Sequence, residues 1–136
     1  MRFDTKIAVI VRADLPAWQK LNMTAFLTSG IAATEAETVG EPYEDASGNT
    51  YLPMFRQPVL VFGATSEELS KAYERAQSRG VRLAIFTEEL FATGHDADNR
   101  AAVRAVATED LKLVGLAMHA PRNAVDKIVK GLALHT

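Results

Sequence analysis

The sequence predicts a three-layer α-β-α domain: a mixed, mainly parallel sheet of about four strands with helices on both faces. Two observations carry this. Four short apolar runs, Ile7–Val11, Val59–Phe62, Val81–Phe86 and Leu111–Met118, recur along the chain, the first two nearly unbroken. Unbroken runs of this kind suit strands covered on both faces. Between them lie segments with helical period, which supply the covering layers.

After the first run, Met23, Phe26, Leu27, Gly30, Ile31 and Thr34 form the stripe of one helix face, with Asn22 placed to cap its N-terminus. Thr65-Ser66-Glu67-Glu68 reads as a capping box opening a second helix. That helix buries Leu69, Ala72, Tyr73 and Ala76, and Gly80 stops it in the left-handed conformation. A last helix opens at Pro121 and buries Val125, Ile128, Val129 and Leu132. Two stretches interrupt the alternation. Residues 41–54 carry Pro42, Ser47-Gly48-Asn49 and Pro53 between Tyr43 and Tyr51, the marks of a hairpin or ordered loop. Residues 94–109 begin polar and turn alanine-rich, with Asp98 or Asn99 placed to cap a short helix running to Val106. The expectation is one domain over residues 1–136, with a hairpin or loop insertion at 41–54 and a helical one at 94–109.

Composition narrows function by exclusion. A chain of 136 residues holds one core and not two comfortable ones. The absence of cysteine removes disulfides, thiolate metal sites and a cysteine nucleophile. No apolar run approaches the roughly 20 residues that span a bilayer, and no signal peptide is evident, so the expected location is cytoplasmic and away from membranes. The net charge of −2 argues against strong nucleic-acid binding.

Three motifs that could carry chemistry have bland readings. His95-Asp96-Ala97-Asp98 lacks the spacing of a metal loop and reads as a solvated loop. Phe62-Gly63-Ala64-Thr65 has neither the glycine fingerprint nor the lysine of a phosphate loop. Ser29 lies within a helix and not on a nucleophile elbow. The expectation is therefore no metal site and no cofactor. The stretch Arg12–Asn22 is richer, because it leaves the carboxyl end of the first strand, where open α/β sheets place ligands. Two accounts of it stand side by side. In one, Asp14, Trp18, Lys20 and Asn22 line a site; in the other, Arg12 pairs with Asp14, Pro16 stiffens the loop and Trp18 plugs the core edge. Glu88 follows the third strand and His119 the fourth. If these strand ends share an edge, Glu88 as general base, Lys20 as electrostatic stabiliser and His119 as a proton carrier form a chemically sensible set.

Taken together, the strands are similar to those of the type II peptidyl-tRNA hydrolases. Val9-Ile10-Val11-Arg12-Ala13-Asp14-Leu15 resembles their opening "VVRxDL", and Gln57-Pro58-Val59-Leu60-Val61 their "QPKVV". Gly80–Ile85 and Leu113–Ala117 resemble the next two strands, and Val125–Leu132 resembles "DKVTGHL". The resemblance covers most of the chain and points to a diverged bacterial branch of uncharacterised function. It implies the fold, a homodimer, and an ester or RNA-linked substrate. By its motif "GKGKxAAQxxHA", Lys20 stands for the first lysine, while Asn22, Phe26 and Ser29 replace the second lysine, the glutamine and the histidine. In the segment after the third strand, Glu88 and Thr93 stand for the family's aspartate and threonine, and its arginine has no counterpart. The expected site is thus catalytic Lys20 and Glu88, with Asp14, Trp18, Asn22, Thr93 and His119 binding substrate. Three classes of function follow: a diverged hydrolase, a non-catalytic small-molecule-binding module with Trp18 and Phe26 as apolar lining, and a dimeric interaction protein built on the hairpin.

Overall fold

In the computed structural model, which describes residues 2–136, the first strand β1 (Thr5–Arg12) is covered on both sides. Ile7, Val9 and Val11 face one layer and Ala8 and Ile10 the other, so Ile7 through Val11 are each no more than 1% exposed. That double covering is the reason its apolar run does not alternate. The chain continues through α1 (Ala17–Thr34), the two-residue strands β2 (Tyr43–Glu44) and β3 (Thr50–Tyr51), β4 (Val59–Ala64), α2 (Ser66–Ser78) and β5 (Ala84–Thr87). It ends with α3 (Asp96–Arg104), β6 (Leu113–Pro121), α4 (Arg122–Ile128) and β7 (Ala133–Leu134). Among the described residues, no helix is long and apolar enough to cross a membrane.

The main sheet has five strands in the order β5-β6-β1-β4-β7, and β2 pairs with β3 as a separate hairpin. The sheet is mixed, as expected, but its pairing is less parallel than expected. β1, β4 and β5 run the same way, yet only β1 and β4 are parallel neighbours, because β6 lies antiparallel between β1 and β5 and β7 lies antiparallel to β4. The cause lies before β6: α3 packs on the turn after β5 and not across the sheet, so it is no crossover, and the chain returns antiparallel.

α1 covers one face, packing Met23, Leu27 and Ile31 on Val9, Val11 and Val114. α2 and α4 cover the other, around Leu69, Ala72, Ala76, Val125 and Ile128. Gly115 on β6 is the point of closest approach to α1. A Cβ there would lie 2.7 Å from Met23 Sδ and 2.9 Å from Leu27 Cδ1, so the helix sits this low only above a glycine.

Local signals fare unevenly. The Thr65 hydroxyl accepts from the Glu68 amide at 3.1 Å and the Glu68 carboxylate accepts from the Thr65 amide at 2.9 Å, a complete capping box. Asn22 is no cap: α1 begins five residues earlier, behind Pro16, whose carbonyl accepts from Gln19 and Lys20. α3 likewise begins behind His95, which makes no capping hydrogen bond, and ends at Arg104, earlier at both ends than expected. β5 begins at Ala84 and not at Val81, and β6 runs later than its expected strand, from Leu113 to Pro121. α4 stops at Ile128, and Gly131, at a φ of 90°, turns the chain back so that β7 pairs with β4. That fifth strand was not expected. With only two residues, it carries no periodicity to read.

Candidate functional site

α1 carries two stripes of large side chains. Met23, Leu27 and Ile31 are buried, whereas Trp18 and Phe26 are 60% and 55% exposed. Trp18, Asn22 and Phe26 are spaced four residues apart, so they share a face. That face looks onto the segment after β5, in which Leu90 and Phe91 belong to a tight 3-10 turn, Glu88–Phe91, and Thr93 and Gly94 lead into α3. Together they enclose a cleft of about 370 Å³.

Its wall is a continuous run of rings. Trp18 meets Phe91 edge-on at 6.0 Å between centroids, Phe91 meets Phe86 at 4.9 Å, and Phe86 meets Phe26 at 6.0 Å. Such tilted arrangements place positive ring edges against negative ring faces. Polar groups gather at the rim: Asn22 on α1, then Thr93, His95 and Asn99. The Thr93 hydroxyl bonds both the Leu90 carbonyl and the Asn99 side chain, which ties the turn to the start of α3. Trp18 does not plug the core edge; its indole N–H makes no hydrogen bond among the described residues, and its ring stands over the cleft.

Of the expected site residues, Trp18, Asn22 and Thr93 are thus brought together, and the others are not among them. Arg12, at the end of β1, donates from Nε to Asp14 at 2.7 Å and from Nη1 to Glu88 at 3.0 Å. The bond to Asp14 first, and that to Glu88 second, push the guanidinium above its already high range, so it stays charged. Lys20 points to the other flank. Its ammonium donates to the Ala13 carbonyl at 3.1 Å and stands 2.9 Å from His135 Nε2, beside a cavity of about 450 Å³ lined by Arg12, Asp14, Thr65 and His135. Glu88 follows β5 and His135 follows β7, the two outer strands of the sheet, so Lys20 and Glu88 are held toward opposite sides of β1.

His119 lies at the far end of the sheet. Because β6 is antiparallel to β1, its carboxyl end pairs with the start of β1, with His119 opposite Ile7. The sequence expectation that these strand ends share an edge fails there. His119 Nε2 is 2.9 Å from Thr5 Oγ1, and Nδ1 faces Glu35 Oε1 at 3.9 Å. Glu37 joins them, and the three side chains bring one ligand-type atom each within 4.8 Å of one another. The Glu37 carboxyl is held below the usual glutamate range, first by its own backbone amide, then by the Glu35 side chain, with a smaller pull from His119.

Sequence reasoning missed His135, Glu35 and Glu37, as well as the cleft roles of Phe86 and Phe91. His135 sits next to the chain end in no motif. For the glutamates a signal existed: they close α1, where the helix dipole is negative and acids are disfavoured, with no basic residue in the last turn to offset them.

No curated protein matches the chain. A solved structure of a protein of unknown function from Agrobacterium tumefaciens strain C58 superposes with a TM-score of 0.96 at 50% identity, covering 99% of this chain and 100% of that one. The family described as "Protein of unknown function (DUF2000)" matches residues 5–136, and the chain belongs to it.

Proposed function

We propose that the protein is a binding module for a small molecule that has an aromatic or branched apolar group and a neighbouring amide or ester. The single observation behind this is the aromatic cleft: Trp18, Phe26, Phe86 and Phe91 on its wall, and Asn22, Thr93 and Asn99 at its rim. Apolar walls supply affinity, and a few placed polar groups supply orientation. The cleft falls beyond the carboxyl ends of β1 and β5, two strands that run the same way, the region where such sheets favour ligands. The ligand acts in the cytoplasm on this reading. Titration with a series of N-acyl aromatic amides and esters, followed by fluorescence of the sole tryptophan, tests it. Saturable quenching that Phe26→Ala removes is the expected outcome.

A second reading, a diverged hydrolase on a peptidyl-tRNA hydrolase II-like scaffold, is favoured by Lys20. Its ammonium bonds the Ala13 carbonyl and stands against His135, which lines a cavity at the end of β1; on this reading the positive charge stabilises a developing oxyanion there. Glu88 suits the general-base role less, because Oε1 already accepts from Arg12. Turnover of peptidyl-tRNA or an N-acyl ester, lost in Lys20→Ala, is what this reading requires. A homodimer fits the exposed Tyr43, Tyr51, Leu52 and Met54 in and beside the hairpin; deletion of residues 43–51 should abolish association in sedimentation, and an unchanged oligomer mass would rule that contact out.

A further inference from the structure

We propose that Glu35, Glu37 and His119 form a binding site for a divalent transition-metal ion at the C-terminal end of α1, independent of the aromatic cleft. The two glutamates and the histidine each offer one ligand atom, all within 4.8 Å of one another, so small side-chain adjustments bring them onto one ion. The imidazole favours a transition cation such as Zn²⁺ or Fe²⁺ over Mg²⁺ or Ca²⁺, which take oxygen ligands, while the two carboxylates also suit Mn²⁺.

Three features show a built site and not an accidental meeting of acids. First, the His119 side chain is only 9% exposed, yet Nδ1 makes no hydrogen bond among the described residues and is aimed at the carboxylates. Second, the ring is oriented from behind. With the proton on Nε2, it donates to Thr5 Oγ1, which also accepts from the buried Gln57 amide at 3.3 Å. A ligating histidine characteristically donates its other ring nitrogen in this way. Third, the turn carrying Glu35 and Glu37 is pinned. The buried Thr38 bonds the Glu35 carbonyl through both its hydroxyl, at 2.7 Å, and its amide, at 2.9 Å, and its own carbonyl accepts from the Arg56 amide at 2.8 Å.

Charge completes the case. The carboxylates lie at the negative end of an 18-residue helix, and neither pairs with a lysine or arginine among the described residues. A divalent cation neutralises both. Beside His119 and Glu35 lies a cavity of about 210 Å³, also lined by Thr34 and Arg82, with room for the water that completes tetrahedral coordination around three protein ligands.

The test is titration of the full, chelator-treated chain with Zn²⁺ and with Mn²⁺, read by calorimetry and by metal content after desalting. One equivalent of Zn²⁺ or Mn²⁺ is expected to bind and raise the thermal unfolding midpoint. Glu35→Gln and Glu37→Gln, both near-isosteric and outside the core, should each weaken binding at least tenfold while leaving the metal-free midpoint unchanged or slightly raised, since each removes an acid from the negative end of α1. His95→Ala and His135→Ala should bind as the parent does. No binding of either ion overturns the proposal, and so does binding that survives both glutamate substitutions or is lost in His95→Ala.

Discussion

Leu27 and Phe26 are neighbours on α1, and they meet opposite fates. Leu27 belongs to the stripe with Met23 and Ile31 that closes on the sheet above Gly115 and is 2% exposed. Phe26 belongs to the stripe with Trp18 and Asn22, half open to solvent over the ring-lined cleft. One helix therefore serves two masters through faces offset by a single residue. Apolar character alone does not separate core from binding surface. What separates them is whether the structure supplies a covering layer: β1, β5 and β6 cover the first stripe, whereas the second meets only Phe86 at the sheet edge, the short turn after β5 and the start of α3.

The sharpest way to break that comparison is to truncate each neighbour. Leu27→Ala leaves a cavity against Val9 and Val114 and should cost about 2–5 kcal/mol in denaturant unfolding. Phe26→Ala should change stability by less than about 1 kcal/mol and abolish ligand-dependent quenching of Trp18. Equal losses from both would mean that the second stripe is core after all. Gly115→Ala presses on the first stripe from the sheet side. Because the flexible ends of Met23 and Leu27 can yield, about 1–3 kcal/mol is expected, again by denaturant unfolding. A smaller effect calibrates these against a site remote from α1: Thr65→Ala removes one arm of the capping box and should cost about 1 kcal/mol, with quenching intact.

The smallest effect separates two exposed aromatics. Tyr51 is as open as Phe26, but its hydroxyl donates to Asp45 at 2.7 Å, so it has a structural partner that the Trp18 indole lacks. That bond, ahead of those from the Asn49 and Ser47 amides, holds the Asp45 carboxyl below the usual aspartate range. A depressed carboxyl stabilises the hairpin above the ordinary aspartate range, and the contribution is lost as pH falls through the depressed value. Tyr51→Phe should raise the Asp45 titration midpoint toward that of an ordinary aspartate, followed by NMR of the side-chain carboxyl.

How much of this was legible in the residues depends on how local each signal is. The capping box at Thr65 and the stop at Gly80 were readable because each lies within a few consecutive positions. So was the pairing of Arg12 with Asp14, two residues apart. Strand direction was not readable, since it depends on α3 leaving the sheet uncrossed, and that error carried His119 to the wrong end. Trp18, Asn22 and Thr93 were anticipated as neighbours, but Phe86 and Phe91, which build the wall, look in sequence like any apolar run. Lys20 was drawn away by His135, a partner 115 residues distant that no spacing rule reaches.

The central claim is that the second stripe of α1 receives a ligand. The most direct test is the fluorescence of Trp18, followed during titration with N-acyl aromatic amides, in the parent chain and in Phe26→Ala. Saturable quenching in the parent, absent from a Phe26→Ala protein with an unchanged unfolding midpoint, is the result predicted. A signal that never saturates, or one that persists undiminished without the Phe26 ring, would contradict it.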